Sequence, residues 1–330
     1  MKTILNPDLY HGQKKENNFF EGWYFKIVDK NNLYKFAFIP GVAYGETSNQ
    51  HHSFIQIVNC YDISYNYIKF KEKDFTYNNS DFYIDINRNK FSLNNINLNL
   101  SYVDERTKKN SSIKGTLNFK NNVKWPDNTL NPGSMGFYNY LLFMECYSQV
   151  CILNGDIEGS LNIDGKEVDF TGGKVYVEKN WGSSFPKSWL WIQSNSFDNP
   201  KISVTCSLAT IPFPIKDFRG FLIGVTIDDK FYSFTTINRS KLNLKNIGED
   251  IELVTCNKKY KLTLKTTTNK NNFVLCMGPK NGTMVPLVRE TLCGKVEMIL
   301  EDIKKNEVLF KGIGESTGIE YGGEMLHILD

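Results

Sequence analysis

The stretch KVYVEKNWGSSFPKSWLWIQSNSF, residues 174–197, decides the fold, because it predicts two β-strands joined by a turn. Alternate side chains of a β-strand share a face. In the first strand this alternation places Tyr176, Glu178 and Asn180 together, with two valines on the opposite side. One face of this strand is therefore polar and the other is apolar, as expected at the wall of a barrel or pocket.

The odd positions of the second strand combine indole rings with amide groups: Trp189, Trp191, Gln193 and Asn195. A face in water rarely carries two tryptophans, and a plain hydrophobic core rarely includes Gln and Asn. Aromatic walls with a few hydrogen-bonding groups are typical of a small-molecule pocket. A purely structural role for the tryptophan-rich strand remains the alternative.

A second stretch of the same character is FFEGWYFKIV, residues 19–28. Its odd positions form an apolar row that includes Trp23 and one carboxylate, Glu21. A glutamate on an apolar face is ion-paired, protonated or functional, because burying its unpaired anion costs several kcal/mol. An ion pair with a lysine or arginine from a neighbouring strand and a catalytic role are the two hypotheses for Glu21.

Residues 70–120 show a clean period of two, in which apolar and polar residues alternate. This pattern predicts antiparallel strands with one face in water, and no segment of similar length has a helical period. The second half of the chain predicts further short strands separated by turns. We therefore expect an all-β protein of two antiparallel β-barrel domains, residues 1–173 and residues 174–330.

Composition excludes several functional classes. The chain has 330 residues and a net charge of +3, without a run of Lys and Arg, so nucleic acid is not an expected partner. Its N terminus does not resemble a signal peptide, and no apolar run approaches the roughly 20 residues of a membrane-spanning helix. A cytoplasmic location is therefore expected. Seven cysteines without a C-x-x-C pair argue against a structural zinc site, and no metal is expected.

Five blocks of this sequence resemble the signature blocks of the tocopherol cyclase family. They are FFEGWYFK at 19–26, MECYSQVC at 144–151, VYVEKNWGSSFPKSWLWIQSNSF at 175–197, RETLCG at 289–294 and TGIEYGG at 317–323. The blocks follow the family's order from near one terminus to near the other. The resemblance implies two lipocalin-like antiparallel β-barrels packed side by side.

The resemblance also implies a reaction, the cyclisation of a prenylated hydroquinone to a chromanol. Protonation of the first double bond of the prenyl tail creates a tertiary cation, which a phenol oxygen captures. No electron is transferred, so no cofactor is expected. The reaction needs a carboxylic acid that an apolar setting keeps protonated, aromatic faces that stabilise the cation, and exclusion of water.

Three glutamates are the predicted acids, with Glu21 first and Glu178 and Glu145 after it. Glu320 is a further acidic residue, for which a surface position is the stronger interpretation. His52 is included because histidine titrates near neutral pH. The predicted substrate-binding residues are Trp23, Tyr24, His52, Asn180, Trp181, Trp189, Trp191, Gln193 and Asn195.

Two other functions stay open. The frequent Asn, Lys, Ile, Tyr and Phe indicate an AT-rich genome, an improbable origin for tocopherol synthesis. A non-catalytic carrier of an apolar isoprenoid or quinone is therefore one alternative, and a hydratase, in which water captures the cation, is the other. In each case the expected partner is an apolar small molecule, collected through transient contact with a membrane surface.

Overall fold

The computed structural model describes residues 2–141, 143–211 and 217–325. Strands dominate these ranges, and the expected all-β class is confirmed. The helical elements are one short α-helix, Lys2–Leu5, and the 3-10 turns Gly12–Lys14, Ser48–Gln50, Glu72–Asp74, Gly136–Tyr140 and Lys270–Asn272. Among the described residues, no helix combines the length and the apolar character that crossing a bilayer requires.

The strands are numbered β1 to β22 in chain order. They are β1 Phe19–Val28, β2 Lys35–Tyr44, β3 His52–Asn59, β4 Ser64–Lys71, β5 Phe75–Tyr77, β6 Tyr83–Ile86, β7 Asn89–Ser92, β8 Asn95–Val103, β9 Asn110–Val123, β10 Cys146–Ile163, β11 Lys166–Asp169, β12 Lys174–Gly182, β13 Ser188–Ser194, β14 Ser203–Ile211, β15 Phe218–Ile227, β16 Lys230–Thr235, β17 Lys241–Ile247, β18 Asp250–Cys256, β19 Tyr260–Thr267, β20 Val274–Lys280, β21 Thr283–Asp302 and β22 Glu307–Gly323.

The first compact unit comprises Met1–Phe185 and Cys276–Pro286. Its sheet has the order β4-β3-β2-β1-β12-β10-β9-β8-β7-β6-β5, with β11 paired to β10. Ile57 of β3 and Ile84 of β6 belong to one hydrophobic core, although their strands lie near opposite ends of this order. The sheet therefore curls around its core, as a barrel does.

The second unit comprises Pro186–Leu275 and Leu287–Asp330. Most of its residues belong to a sheet of the order β16-β15-β14-β13-β22-β21-β19-β18-β17, with β20 paired to β21. Phe234 of β16 and Leu253 of β18 share a core with Leu190 and Ile192 of β13. This sheet is also curled, because residues near its two ends meet in one core.

The division between the units differs from the boundary expected after residue 173. Strand β12 pairs with β1 on one side and with β10 on the other, so it belongs to the first sheet. Its inward-facing Val175 and Val177 complete the first core. The chain enters the second unit only after Phe185. Both strands predicted within residues 174–197 exist, but they belong to different sheets.

Candidate functional site

A buried ion pair lies inside the first unit, where β1 runs beside β12. The register pairs Trp23 with Lys179 and Glu21 with Trp181, so these four side chains share the interior face. The Lys179 ammonium nitrogen lies 2.5 Å from Glu21 Oε1, and both side chains are fully buried. The structure thus realises the ion-pair hypothesis for Glu21, with a lysine from the neighbouring strand as the partner.

His11 completes this cluster from the N-terminal segment. Its backbone N–H donates to Glu21 Oε2 at 2.8 Å. Its ring Nε2 lies 3.3 Å from the carbonyl oxygen of Thr3, which can only accept, so Nε2 carries the ring proton. Nδ1 then accepts from Lys179 Nζ at 3.2 Å, and the same ammonium donates to the Leu9 carbonyl at 2.5 Å. Glu21, Leu9 and His11 therefore supply one acceptor for each proton of the ammonium, and the Asp8 carbonyl lies further away, at 3.5 Å.

The charge state of Glu21 follows from these contacts. Burial alone would raise its pKa, but the Lys179 ammonium, which also donates a hydrogen bond to the carboxylate, lowers it and leaves the pKa below its usual value. Glu21 is therefore a carboxylate and not the protonated acid predicted from the sequence. Glu21 does lie on an apolar face, as the sequence predicts. That face alone would favour the protonated form, but the Lys179 ammonium on the neighbouring strand favours the carboxylate.

The indoles of this cluster already contact a cation. Lys179 Nζ lies 5.3 Å from the ring centroid of Trp23 and 4.8 Å from that of Trp181. His11 stacks on Trp181 with a centroid distance of 4.0 Å, and Phe82 stacks on Trp23 at 5.6 Å. Within the first core, the two aromatic faces predicted to stabilise a substrate cation therefore stabilise the protein's own ammonium group.

Acid should weaken the fold through this cluster. Glu21 stabilises the folded state above its unfolded pKa of about 4.3, and this contribution is lost as the pH falls through its lowered folded pKa. Burial and Lys179 also lower the pKa of His11, so the contribution of its neutral ring is present above about pH 6.5 and is lost as the pH falls through the folded pKa. Urea unfolding between about pH 7 and pH 2 should show a midpoint that falls below about pH 6.5 through His11 and again below about pH 4.3 through Glu21, and His11→Phe should flatten the first of these two parts. An unchanged wild-type midpoint over this range would contradict the assignment.

Glu178 lies on the opposite face of the same strand and is 9% exposed. The Tyr176 hydroxyl donates to its Oε2 at 2.6 Å, and the Asn180 amide donates to Oε1 at 3.3 Å. Tyr24 is its direct partner across the β1–β12 pair and is also buried. The structure thus brings together three residues of the predicted polar face, Tyr176, Glu178 and Asn180, and places Tyr24 of β1 directly across from Glu178.

Glu145 does not fit the role of a buried acid. It is exposed and lies just before β10 begins. Its carbonyl oxygen accepts from the backbone N–H groups of Ser183 and Ser184, so its contact with the turn after β12 uses the backbone. Glu145 therefore lies outside the strand, which starts only at Cys146.

His52 is buried at the start of β3, and neighbouring groups occupy both of its ring nitrogens. Nδ1 donates to the Gln50 carbonyl and Nε2 accepts from the Tyr67 hydroxyl, both at 2.7 Å. Burial lowers its pKa, which favours this neutral ring. These contacts give His52 a structural position, and its predicted substrate contact would require one of them to break.

The tryptophans of β13 lie on the outer face of the second sheet, because Leu190 and Ile192 occupy the core. Trp189 and Trp191 are nevertheless buried, at 7% and 4% exposure. Glycines of β22 make room for the rings, since a Cβ on Gly322 would lie 2.0 Å from the Trp189 ring and one on Gly318 would lie 2.5 Å from the Trp191 ring. The glycines of the TGIEYGG block thus have a packing role.

A carboxyl group shares this outer face. Glu320 is the register partner of Trp191, and its Oε1 accepts a short hydrogen bond from the Trp189 indole N–H. Glu290 on β21 is the register partner of Glu320 and is 1% exposed. Gln193 and Asn195 are buried at 0% and 1%. Glu320 itself is half-buried on this outer face.

Sequence reasoning missed three residues of these clusters: Lys179, His11 and Glu290. Lys179 had a readable signal, because it follows Val175 and Val177 at the same spacing and so falls on the apolar face of its strand. A lysine there needs a buried anion, and Glu21 was the anion in need of a cation. His11 had no such signal, because it lies outside any periodic segment.

Comparisons with known proteins bear on the family and on the fold. The family model described as tocopherol cyclase-like matches residues 96–323. The probable chloroplastic tocopherol cyclase of rice, Oryza sativa subsp. japonica, is 25% identical over 214 residues, which are 60% of this chain and 44% of the rice protein. The chloroplastic tocopherol cyclase of Zea mays is 26% identical over 195 residues, 55% of this chain and 40% of that protein. The chain thus aligns with less than half the length of these relatives.

Two solved structures share the fold at low sequence identity. The crystal structure of CghA has a TM-score of 0.55 at 9% identity and covers 92% of this chain and 88% of CghA. A Nitrosomonas europaea protein named as an AttH candidate has a TM-score of 0.51 at 10% identity, with 92% of both chains covered. The match of the family model extends over well over half of the chain. The protein belongs to the tocopherol cyclase-like family.

Proposed function

We propose that the protein is a cyclase that closes a ring in a prenylated hydroquinone by proton addition, with Glu178 as the acid. Membership of the tocopherol cyclase-like family supports the reaction class. The observation that carries the assignment of the acid is a buried carboxyl group beside two phenol rings and an amide. The substrate is a hydroquinone with an isoprenoid tail, and the tail length is open.

The reaction conserves every atom of the substrate. The acid gives a proton to the first double bond of the tail, and the tertiary carbon becomes cationic. The neighbouring phenol oxygen bonds to this carbon and loses its proton, which restores the acid. No oxidant or reductant takes part, so the reaction needs no redox cofactor. What the protein must supply is an acid, cation-stabilising rings and a site without water.

Glu178 is the predicted acid whose side chain is buried, as the reaction requires. Glu21 is ion-paired with Lys179, and Glu145 is exposed. The ring of Tyr176, next to Glu178, offers an electron-rich face for a cation, and Tyr24 is placed directly across the strand pair. Asn180 supplies an amide for a substrate hydroxyl, in keeping with its predicted role.

Glu320 is the competing candidate in the second unit. It has the two indoles of Trp189 and Trp191 on its own face, and indole rings bind cations more strongly than phenol rings. In this assignment Gln193 and Asn195 would contact the ligand, as the sequence predicts. Comparison of glutamine variants at positions 178 and 320 distinguishes the two acids.

Product analysis in heavy water tests the reaction. The protein is incubated in D2O with hydroquinones that carry prenyl tails of increasing length, and the products are analysed by mass spectrometry after exchangeable deuterons are washed out. Cyclisation started by a proton leaves one carbon-bound deuterium in a product that is otherwise an isomer of the substrate. A boiled sample controls for spontaneous ring closure.

The same measurement separates the alternatives. A hydratase adds the mass of one water in which one hydrogen is a carbon-bound deuterium, and a carrier returns its ligand without deuterium. A product that has lost two hydrogens would indicate oxidation and would overturn the proposal. Organic extraction of the purified protein and identification of any bound lipid guide the choice of prenyl tail length in the hydroquinone substrates.

A further inference from the structure

The connection between β9 and β10 presents apolar side chains to the outside. Leu130 is 77% exposed, Phe137 54%, Tyr140 38% and Phe143 60%. In the described ranges, Leu130 and Phe143 are the most exposed of the large hydrophobic residues. Scattered apolar residues are normal on protein surfaces, but four within 14 residues form a local concentration.

At least three of these residues lie close together in space. The Tyr140 hydroxyl donates a short hydrogen bond to the carbonyl of Thr129, the residue before Leu130. The rings of Phe137 and Tyr140 are 6.4 Å apart between centroids. We call Leu130, Phe137, Tyr140 and Phe143 the apolar loop surface.

The interior of the same loop is polar and ordered. Asn139 and Ser134 are 5% and 4% exposed. Asn139 donates to the Pro132 carbonyl at 2.6 Å, and the Ser134 hydroxyl accepts from the backbone N–H of Val150 at 3.0 Å. Gln149 Oε1 accepts from the Ser134 backbone N–H at 2.8 Å. The loop thus buries Ser134 and Asn139 in a hydrogen-bonded interior while it exposes four of its large apolar side chains.

Charge gives an independent observation. Residues 128–144 contain no Asp, Glu, Lys, Arg or His, whereas Asp, Glu, Lys and Arg make up 23% of the whole chain. A docking surface for another protein carries a polar rim, in which charged side chains are common. The part of a surface that enters the boundary of a lipid bilayer avoids charges and favours aromatic residues.

We propose that the apolar loop surface docks the protein onto the surface of a lipid bilayer. Leu130, Phe137 and Phe143 would enter the boundary between headgroups and acyl chains, and the Tyr140 hydroxyl would stay near the headgroups. The polar contacts beneath hold the loop in shape, so little ordering is needed on binding. The inference does not depend on the proposed cyclisation, but it provides a route by which an apolar substrate could be collected.

Co-sedimentation with phosphatidylcholine vesicles tests this docking, using the full chain without substrate. The double variant Phe137→Asp with Phe143→Asp should bind at least about tenfold more weakly than the wild type. Val103→Asp with Val308→Asp is the matched control, because these residues are 57% and 59% exposed outside the loop. The control should bind as the wild type does, and thermal unfolding should confirm that both variants are folded.

Further measurements distinguish a lipid bilayer from another occupant of the apolar loop surface. Binding should persist at high salt, because an uncharged surface owes nothing to electrostatic attraction. Hydrogen exchange should slow within residues 128–144 when vesicles are added. Failure of the wild type to sediment, or equal loss in both double variants, would overturn the proposal. Conversion of a wild-type dimer to a monomer by the loop substitutions would instead assign the surface to self-association.

Discussion

Replacing Glu21 by glutamine should lower the free energy of unfolding by about 3–5 kcal/mol, because it leaves the Lys179 ammonium buried without its anion. The amide of glutamine can still accept a hydrogen bond, but it carries no charge to offset the cost of taking the ammonium out of water. Urea unfolding monitored by circular dichroism measures the change. The effect is large compared with the total stability of an ordinary domain.

Two comparisons identify the cause of this loss. Glu145→Gln, at an exposed position, should change stability by no more than about 0.5 kcal/mol. The double variant Glu21→Gln with Lys179→Met should be more stable than Glu21→Gln alone, because it removes the uncompensated charge and keeps an apolar side chain of similar length. If Glu21→Gln kept full stability but lost turnover, the catalytic acid would be reassigned to Glu21.

Replacing Glu178 by glutamine should reduce the rate of cyclisation by about 10²–10⁴-fold, the usual contribution of a positioned general acid. Glutamine has the same shape and can still accept from the Tyr176 hydroxyl, but it has no acidic proton to give. Single-turnover formation of the deuterated product measures this step directly. Unfolding of the variant in urea should remain close to that of the wild type.

Glu320→Gln is the matched variant in the second unit. It keeps an acceptor for the Trp189 indole N–H, so the packing of that face should survive. If Glu178 is the acid, Glu320→Gln should lose much less activity than Glu178→Gln. The reverse order would move the acid to Glu320 and leave the cyclase proposal intact. Full activity in both variants would exclude both carboxyl groups.

The alternation within residues 174–197 shows what a local sequence pattern can predict and what it cannot. It correctly separates Tyr176, Glu178 and Asn180 from Val175 and Val177, since strand geometry imposes a period of two. It does not reveal which sheet a strand joins, so β12 was assigned to the wrong unit. Pairing partners are distant in sequence, and turn residues alone do not encode them.

The tryptophans of β13 illustrate the second limit. Their common face and their burial are consistent with the sequence pattern, but Leu190 and Ile192 are the residues that fill the core. A strand buried on both faces has no single apolar side from which its orientation can be read. Gly318 and Gly322 accommodate the rings, and these glycines lie more than 120 residues further along the chain.

The sequence by itself determined the all-β class, the alternating faces of the strands, the family blocks and the uncharged loop, because each depends on residues that are close in the chain. Only the tertiary structure decided that Glu21 is an anion, since its proton is controlled by Lys179 on another strand and by His11 on the N-terminal segment. Ionisation depends on the distance to charges and on exclusion from water, and both arise only when distant segments meet.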